Sequence, residues 1–490
     1  MTVERSQSRR SIVGLVLLAL ALGVWAIRAP LHRLPLERDE GAYAVIARDW
    51  RNGFVPYRDR FDHKPPFVYV VYAPPTFAAD PVPAIRRWAT LWLIGTLLAT
   101  WWTARHFWRS AGAGLVAAAL LGAWGSGVMV QGITFNTEAI MLLPAVLALG
   151  AAVRALDSGR AGWLIVAGSM TALAALSKPV GALLAPAVLL AAFVAGATWR
   201  KRGRNLVVLL AGAALVLVPT AVYFVVNGAW DALVLALWDY NLRYASASAA
   251  QTTSGIIATL WPVWKPLLPL VGVALVGAMA GVWGKQRGRF FVALLWSAGL
   301  IGGAVASLRP YPHYYLAAVP ALALWAGGIG TLRFTTSTSI NAGILGIVVG
   351  SLWLAPLRSL RPYWSQTPAQ QTEQLYGLDG RQFFALAPQV VGWIQRNVGT
   401  QASVWVWAAE PQLYLLGNFA VPTRFPYDYP LAVLPGARDE VLATLNRTPP
   451  QVIITYNEVR PEGFSGIQLA HGYTRRVSIE GYDVWVLPQP

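Results

Sequence analysis

Long apolar runs recur along most of this chain, and several reach the ~18–20 residues that a helix needs to cross a bilayer. They lie at about 11–28, 84–105, 110–130, 138–155, 161–177, 180–197, 206–226, 262–282, 290–308, 314–331 and 338–356. Inside lipid the backbone has to satisfy its own hydrogen bonds, so repeated runs of this kind restrict the fold to a helical bundle. Composition agrees: of 490 residues, 56% are hydrophobic and only 12% charged. The expected fold is a polytopic α-helical membrane protein with about 11 transmembrane helices.

The charges that remain punctuate the runs. Net charge is +17, but this does not indicate nucleic-acid binding, because the basic residues form short clusters between apolar segments. The clusters are Arg5, Arg9 and Arg10; Arg105 and Arg109; Arg154 and Arg160; Arg200, Lys201, Arg202 and Arg204; Lys285, Arg287 and Arg289; and Arg333. With alternating spans all six fall on one side, which the positive-inside rule makes cytoplasmic. The first run has no small-residue cleavage pattern and reads as an uncleaved span rather than a signal peptide. The apolar stretch 67–79 is short and holds a Pro-Pro step. Counting it as a span would invert every later cluster, so it belongs to a first external loop at about 29–83, as a re-entrant or surface helix. The 23 tryptophans suit membrane interfaces. The N-terminus is then cytoplasmic, and the expected location is a bacterial inner or plasma membrane.

Beyond residue 356 the pattern changes. Short apolar segments at 403–407, 451–455 and 482–487 alternate with helix-like stretches at 387–397 and 438–446, as in a small α/β domain. The expected organisation is a membrane domain over 1–356 and an extracytoplasmic domain over 357–490.

The densest charge in the chain lies between Leu36 and Phe67. Asp39 and Glu40 open a helical pattern in which Tyr43, Ile46, Ala47 and Trp50 form one apolar stripe. Such a helix would lie in the membrane interface. Arg58, Asp59, Arg60, Asp62, His63 and Lys64 follow, before Pro65 and Pro66. Asp39 and Glu40 have two readings: acids that offset a helix dipole, or a carboxylate that takes a proton from an attacking hydroxyl. Arg58, Arg60 and Lys64 either meet lipid headgroups or clamp a phosphate leaving group. Glu138 stands where an outward loop enters a span, either as a solvated interfacial acid or as a functional one. Lys178 lies at an outward turn. His313 sits among Arg309, Tyr311, Tyr314 and Tyr315, where it either packs at the interface or binds phosphate or sugar.

Other chemistries lack support. No P-loop or dinucleotide glycine pattern precedes a helix. Five histidines and no cysteines give no zinc spacing, disulfide or thiolate nucleophile. The first external loop has no strict Asp-x-Asp, so neither a metal nor another cofactor is expected.

Several stretches together resemble the GT-C glycosyltransferases, in the branch of the protein O-mannosyltransferases and the lipid A aminoarabinose transferase. They are RDEGAYAVIARDW at 38–50, HKPPFVYVVY at 63–72, the pair Arg86 and Arg87, TEAIM at 137–141, LSKPVG at 176–181, HYYL at 313–316 and PTRFPYDYPL at 422–431. The resemblance implies an inverting transferase on the external face that uses a polyprenyl-phosphate-linked sugar and an acceptor glycan, lipid or protein. Asp39 matches the family's catalytic acid, and Lys64 its phosphate-binding lysine. Glu138 stands where the family usually has Asp, and His63 where some members have Glu. The expected catalytic residues are Asp39, Glu40 and Glu138. Arg58, Lys64 and His313 are expected to bind the donor phosphate, supported by His63, Tyr43, Lys178 and Arg309. Mannose is the family's commonest sugar; arabinose-type sugars remain open. An alternative class is a transporter or flippase for lipid-linked saccharides, which needs ionisable residues deep within the spans. A third is a noncatalytic subunit whose external domain binds a polysaccharide.

Overall fold

The computed structural model describes residues 2–246, 260–282, 287–306, 309–333, 335–457 and 460–488. Residues 247–259, Lys285 of the fifth basic cluster, and the end of the 290–308 run at 307–308 lie outside the described residues. The chain forms two compact units. One comprises Met1–Pro30, Arg87–Thr220 and Ala250–Trp364; the other comprises Leu31–Arg86, Ala221–Ala249 and Ser365–Pro490.

The protein is a polytopic helical membrane protein. Among the described residues, seven helices are long and apolar enough to cross a bilayer: Ser11–Leu31, Thr137–Ser158, Trp199–Val226, Leu260–Ala280, Arg287–Val305, Pro312–Thr331 and Ser339–Trp364. The other four expected spans are helical too but differ in kind. Pro81–Trp108 is long yet carries many polar and tryptophan residues. Ala111–Trp124, Gly162–Ser177 and Pro179–Val194 are apolar but shorter than a full crossing. A 14-residue helix extends about 21 Å, less than the ~30 Å hydrocarbon layer.

Within the first unit, burial separates central helices from peripheral ones. Thr137–Ser158 and Pro312–Thr331 are 72% and 83% buried over their apolar windows, against 11% and 6% for Trp199–Val226 and Ser339–Trp364. The last two therefore present side chains to lipid. Small residues let helices approach closely, as usual in membranes. A Cβ on Gly168 would meet the Leu209 carbonyl at 2.1 Å, and one on Gly212 would meet the Ile165 carbonyl at 2.2 Å.

Three of the basic clusters converge at one end of this unit. Asp157, at the C-terminal end of Thr137–Ser158 and three residues past Arg154, pairs with Arg109 at 3.0 Å and also with Arg289. Arg289 further donates to the carbonyls of His106 and Phe107. Glu138 lies in the first turn of the same helix, about 30 Å away along its axis at 1.5 Å per residue. The candidate acid therefore sits at the end opposite the basic residues.

The second unit joins the loop after the first span to the C-terminal residues. Its sheet has β1 (Val404–Trp407), β2 (Val452–Tyr456), β3 (Thr474–Ile479) and β4 (Tyr482–Val486) in the order β1-β2-β4-β3. β1 and β2 are parallel; β4 runs antiparallel to both β2 and β3. The expected strands are β1, β2 and β4, all buried. β3 (TRRVSI) was not expected: it is a mostly exposed edge strand whose charged residues hide the apolar alternation. The expected helices appear as Ala387–Asn397 and Ala437–Arg447.

Candidate active site

The site of the second unit is built on the helix Arg38–Arg51. Glu37 caps it: its carboxylate accepts from the amides of Asp39 and Glu40 at 3.1 and 3.2 Å, and Glu40 accepts in return from the Glu37 amide at 3.3 Å. This reciprocal capping box satisfies amides that a helix start would otherwise leave unpaired. It also fixes the two acids in different directions. Glu40 is fully buried, and both its oxygens bind the Arg86 guanidinium, one at 2.7 Å. Arg86 also donates to the carbonyls of Leu34 and Pro35 at 3.0 and 2.6 Å. Asp39 points elsewhere, and 43% of its side chain is exposed.

The helix does not have the exposed polar face that its apolar stripe leads one to expect. Every residue from Glu40 to Asp49 is buried, on all faces. Gly41 makes this possible, because a Cβ there would meet the Gln412 backbone nitrogen at 2.7 Å. The polar residues off the apolar stripe find protein partners instead of water. Arg48 donates to the carbonyls of Tyr414 and Phe419 at 2.9 and 3.0 Å, at the C-terminal end of the short helix Gln412–Gly417. Asp49 pairs with Arg60 at 2.5 Å. The helix is thus part of a folded unit with the C-terminal residues, held by buried charge that periodicity alone does not reveal.

Asp39 and Lys64 come together. The Lys64 ammonium is 3.5 Å from Asp39 Oδ2, and the Tyr43 hydroxyl donates to that same oxygen at 3.2 Å. Lys64 Nζ also lies 2.9 Å from His63 Nε2. His63 Nδ1 lies 3.2 Å from Asp62 Oδ1. This arrangement needs a neutral ring with its proton on Nδ1. Burial first, and then the Lys64 charge, push the His63 imidazole below its ordinary value, which favours that neutral form. The ring lies 4.9 Å from the Tyr240 ring, centroid to centroid. Arg58 is engaged otherwise: it pairs with Asp59 at 2.8 Å and donates to the Asn227 carbonyl at 2.6 Å. It is half-exposed and has to exchange these partners to meet a ligand.

Next to Asp39, Arg38 bridges Asp379 at 2.7 Å and buried Glu410 at 2.9 Å. Glu410 also accepts from Gln412 at 2.5 Å and Tyr456 at 3.2 Å. Burial pushes the Glu410 carboxyl up to about 7, against the opposing pull of Arg38, Gln412 and Tyr456.

The remaining candidates form a group in the first unit. Glu138 is buried and pairs with Lys178. The Lys178 ammonium lies 3.7 Å from the Tyr314 ring centroid. His313 Nδ1 is 2.9 Å from Gln131 Oε1. Gln131 takes a left-handed φ of 46° at a loop turn. The Arg309 carbonyl accepts from Tyr315 at 3.1 Å. Gln131 was not foreseen, since a lone glutamine in a short loop carries no sequence signal. Among the described residues, no three of His, Asp and Glu gather as a metal site requires.

The fold of the chain is that of the GT-C glycosyltransferases. Residues 64–225 match the family model described as dolichyl-phosphate-mannose-protein mannosyltransferase. Among solved structures, the chain is similar to ArnT from Cupriavidus metallidurans bound to undecaprenyl phosphate: TM-score 0.65, 15% identity, 97% of this chain and 99% of that one. It is also similar to the archaeal oligosaccharyltransferase AglB from Archaeoglobus fulgidus, in complex with an inhibitory peptide and a dolichol-phosphate. There the TM-score is 0.55 at 13% identity, over 98% of this chain and 75% of AglB. The mycobacterial arabinofuranosyltransferase AftD gives a TM-score of 0.55 at 13% identity, over 98% of this chain and 40% of AftD. No curated protein sequence matches.

Proposed function

We propose that this protein is a membrane glycosyltransferase that moves a sugar from a polyprenyl phosphate to an acceptor hydroxyl with inversion at the anomeric carbon. The observation that carries the reading is the exposed Asp39 carboxylate 3.5 Å from the Lys64 ammonium, in a fold whose relatives ArnT and AglB hold polyprenyl-type phosphates. Asp39 accepts the acceptor's hydroxyl proton as its oxygen attacks the anomeric carbon from the side opposite the phosphate. The bond from that carbon to the phosphate oxygen breaks, and its electron pair leaves with the polyprenyl phosphate. Lys64 moves from Asp39 to the phosphate and stabilises the charge that develops there. Arg58 joins it after releasing Asp59. Glu40 acts through the helix, by holding Asp39 in place against Arg86. Glu138, Lys178, His313 and Arg309 are proposed, from the family resemblance, to serve the same reaction on sugar or phosphate.

The proposed orientation puts the basic end of the first unit in the cytoplasm of a bacterial inner membrane and residues 357–490 outside it. The family model favours mannose as the sugar, and arabinose-type sugars are the competing choice. The test is a transfer assay on purified protein in lipid with a panel of polyprenyl-phosphate sugars and membrane extract as acceptor. Label should move to an acceptor with wild type and fall at least about 1,000-fold with Asp39→Asn, while lipid binding persists. Near-normal turnover in that variant removes Asp39 as the base. Sugar crossing sealed vesicles without product would favour a carrier instead.

A further inference from the structure

Lys64 is held by more than its own contacts. Its backbone carbonyl faces two hydroxyls, those of Tyr57 at 2.8 Å and Tyr69 at 3.1 Å. Tyr57 is fully buried and has φ +69°, a conformation uncommon for a bulky side chain and kept only where the surroundings impose it. The Lys64 ammonium meets His63, and the His63 ring meets Asp62. Asp62 is itself 1% exposed. Its Oδ1 accepts from the Tyr427 hydroxyl and the His63 amide, both at 2.7 Å, and its Oδ2 lies 3.0 Å from the Tyr69 hydroxyl. A carboxylate taken so far out of water needs such partners to remain charged.

Tyr427 comes from a segment that backs the loop at several points. The Phe61 amide donates to the Arg424 carbonyl at 2.6 Å, and Arg60 donates to the Thr423 carbonyl at 3.1 Å. The Phe61 and Phe425 rings lie 5.5 Å apart. A continuous line of contacts therefore runs from Tyr427 through Asp62 and His63 to the Lys64 ammonium.

We propose that Tyr427, acting through Asp62, is a positioning residue for Lys64, so that C-terminal residues set the grip on the donor phosphate. The inference rests on the reading of Lys64 as a phosphate-binding residue. Tyr427 fixes the carboxylate, the carboxylate charge 3.2 Å from His63 Nδ1 favours the proton on that nitrogen, and His63 presents its unprotonated Nε2 to Lys64. The ammonium is thereby kept beside Asp39 and is available to a phosphate without a side-chain search.

The test uses the full chain in lipid nanodiscs with undecaprenyl phosphate as probe and the uncharged polyprenol of equal length as control. Tyr427→Phe removes one hydroxyl and keeps the ring. It should weaken undecaprenyl phosphate binding about tenfold, the low end for one hydrogen bond to a charged group, while the protein stays folded with a modestly lowered melting temperature. In a Lys64→Gln background the same substitution should change affinity by less than about twofold, since non-additivity marks residues that act through one another. Asp62→Asn should behave alike; if it does not fold, the Tyr427→Phe cycle still decides. Undiminished binding by Tyr427→Phe, or a full additional loss in the Lys64→Gln background, overturns the positioning role and leaves the proposed function standing. A wild type that does not prefer the phosphate lipid over the polyprenol overturns the proposed function, and this inference with it.

Discussion

Asp39 and Lys64 carry opposite charge 3.5 Å apart, but their proposed tasks differ, and so do the kinetic losses expected of them. Asp39 acts on the acceptor proton only as the bond to it forms, so its replacement should lower kcat. Lys64 meets the phosphate before and during bond breaking. Lys64→Gln should therefore raise the donor KM and lower kcat/KM about 100-fold or more, as expected when a charged donor to a phosphate is lost. Steady-state kinetics at varied donor concentration check this, and an unchanged KM would remove Lys64 from the donor site. Glu40 is adjacent to Asp39 in sequence yet buried against Arg86, so the two acids of one dipeptide have unlike roles. Helical geometry explains this, since consecutive side chains point about 100° apart.

At the scale of the element, the helix Arg38–Arg51 depends on a buried ion pair. Pairs of this kind add little over an apolar replacement, but removing one partner strands the other charge at a cost of about 3–5 kcal/mol. Glu40→Ala should accordingly lower the melting temperature clearly. Thermal unfolding in lipid or detergent reads this directly, and a melting temperature equal to wild type would mean that Arg86 finds other partners. Gly41→Ala should destabilise by about 1–3 kcal/mol, because its Cβ would push against Gln412 backbone rather than a yielding side chain.

For the molecule as a whole, buried Glu410 couples stability to pH. Its carboxyl is raised from 4.5 to about 7 in the folded chain, so between these values the folded state holds a proton that the unfolded state has released. Stability linked to this group is present below pH 4.5 and falls as pH rises to about 7, by roughly 3 kcal/mol. Glu410→Gln should remove that slope, leaving a melting temperature that varies less than wild type's across the window. Equal slopes in the two proteins would show that Glu410 stays charged beside Arg38. Asp62 has the opposite sign. Burial would raise its carboxyl, but the bonds from His63 and Tyr427 and the Lys64 charge outweigh that and hold it below the usual range. Its contribution is present above its unfolded value and is lost in acid.

The membrane helices were legible because lipid imposes a length and a polarity on each crossing. The described residues of all eleven expected ranges are mostly helical, and the break before Phe67 keeps that run to a short helix, Phe67–Tyr72. The stretch that brings Asp39 and Lys64 together stood out because charge concentrated in an apolar chain is conspicuous. Other features were decided only in three dimensions. The hold of Arg86 on Glu40 joins residues 46 positions apart, and the reach of Tyr427 to Asp62 spans 365. Burial of polar groups is favourable only where the fold brings them partners, and no local pattern records that pairing. The sequence by itself determined a helical membrane protein with a densely charged loop after its first span, because lipid restricts the fold and charge stands out in an apolar chain. The tertiary structure alone decided which of those charges are buried against partners that hold the loop together, as Glu40 is against Arg86, and which stay exposed, as Asp39 does.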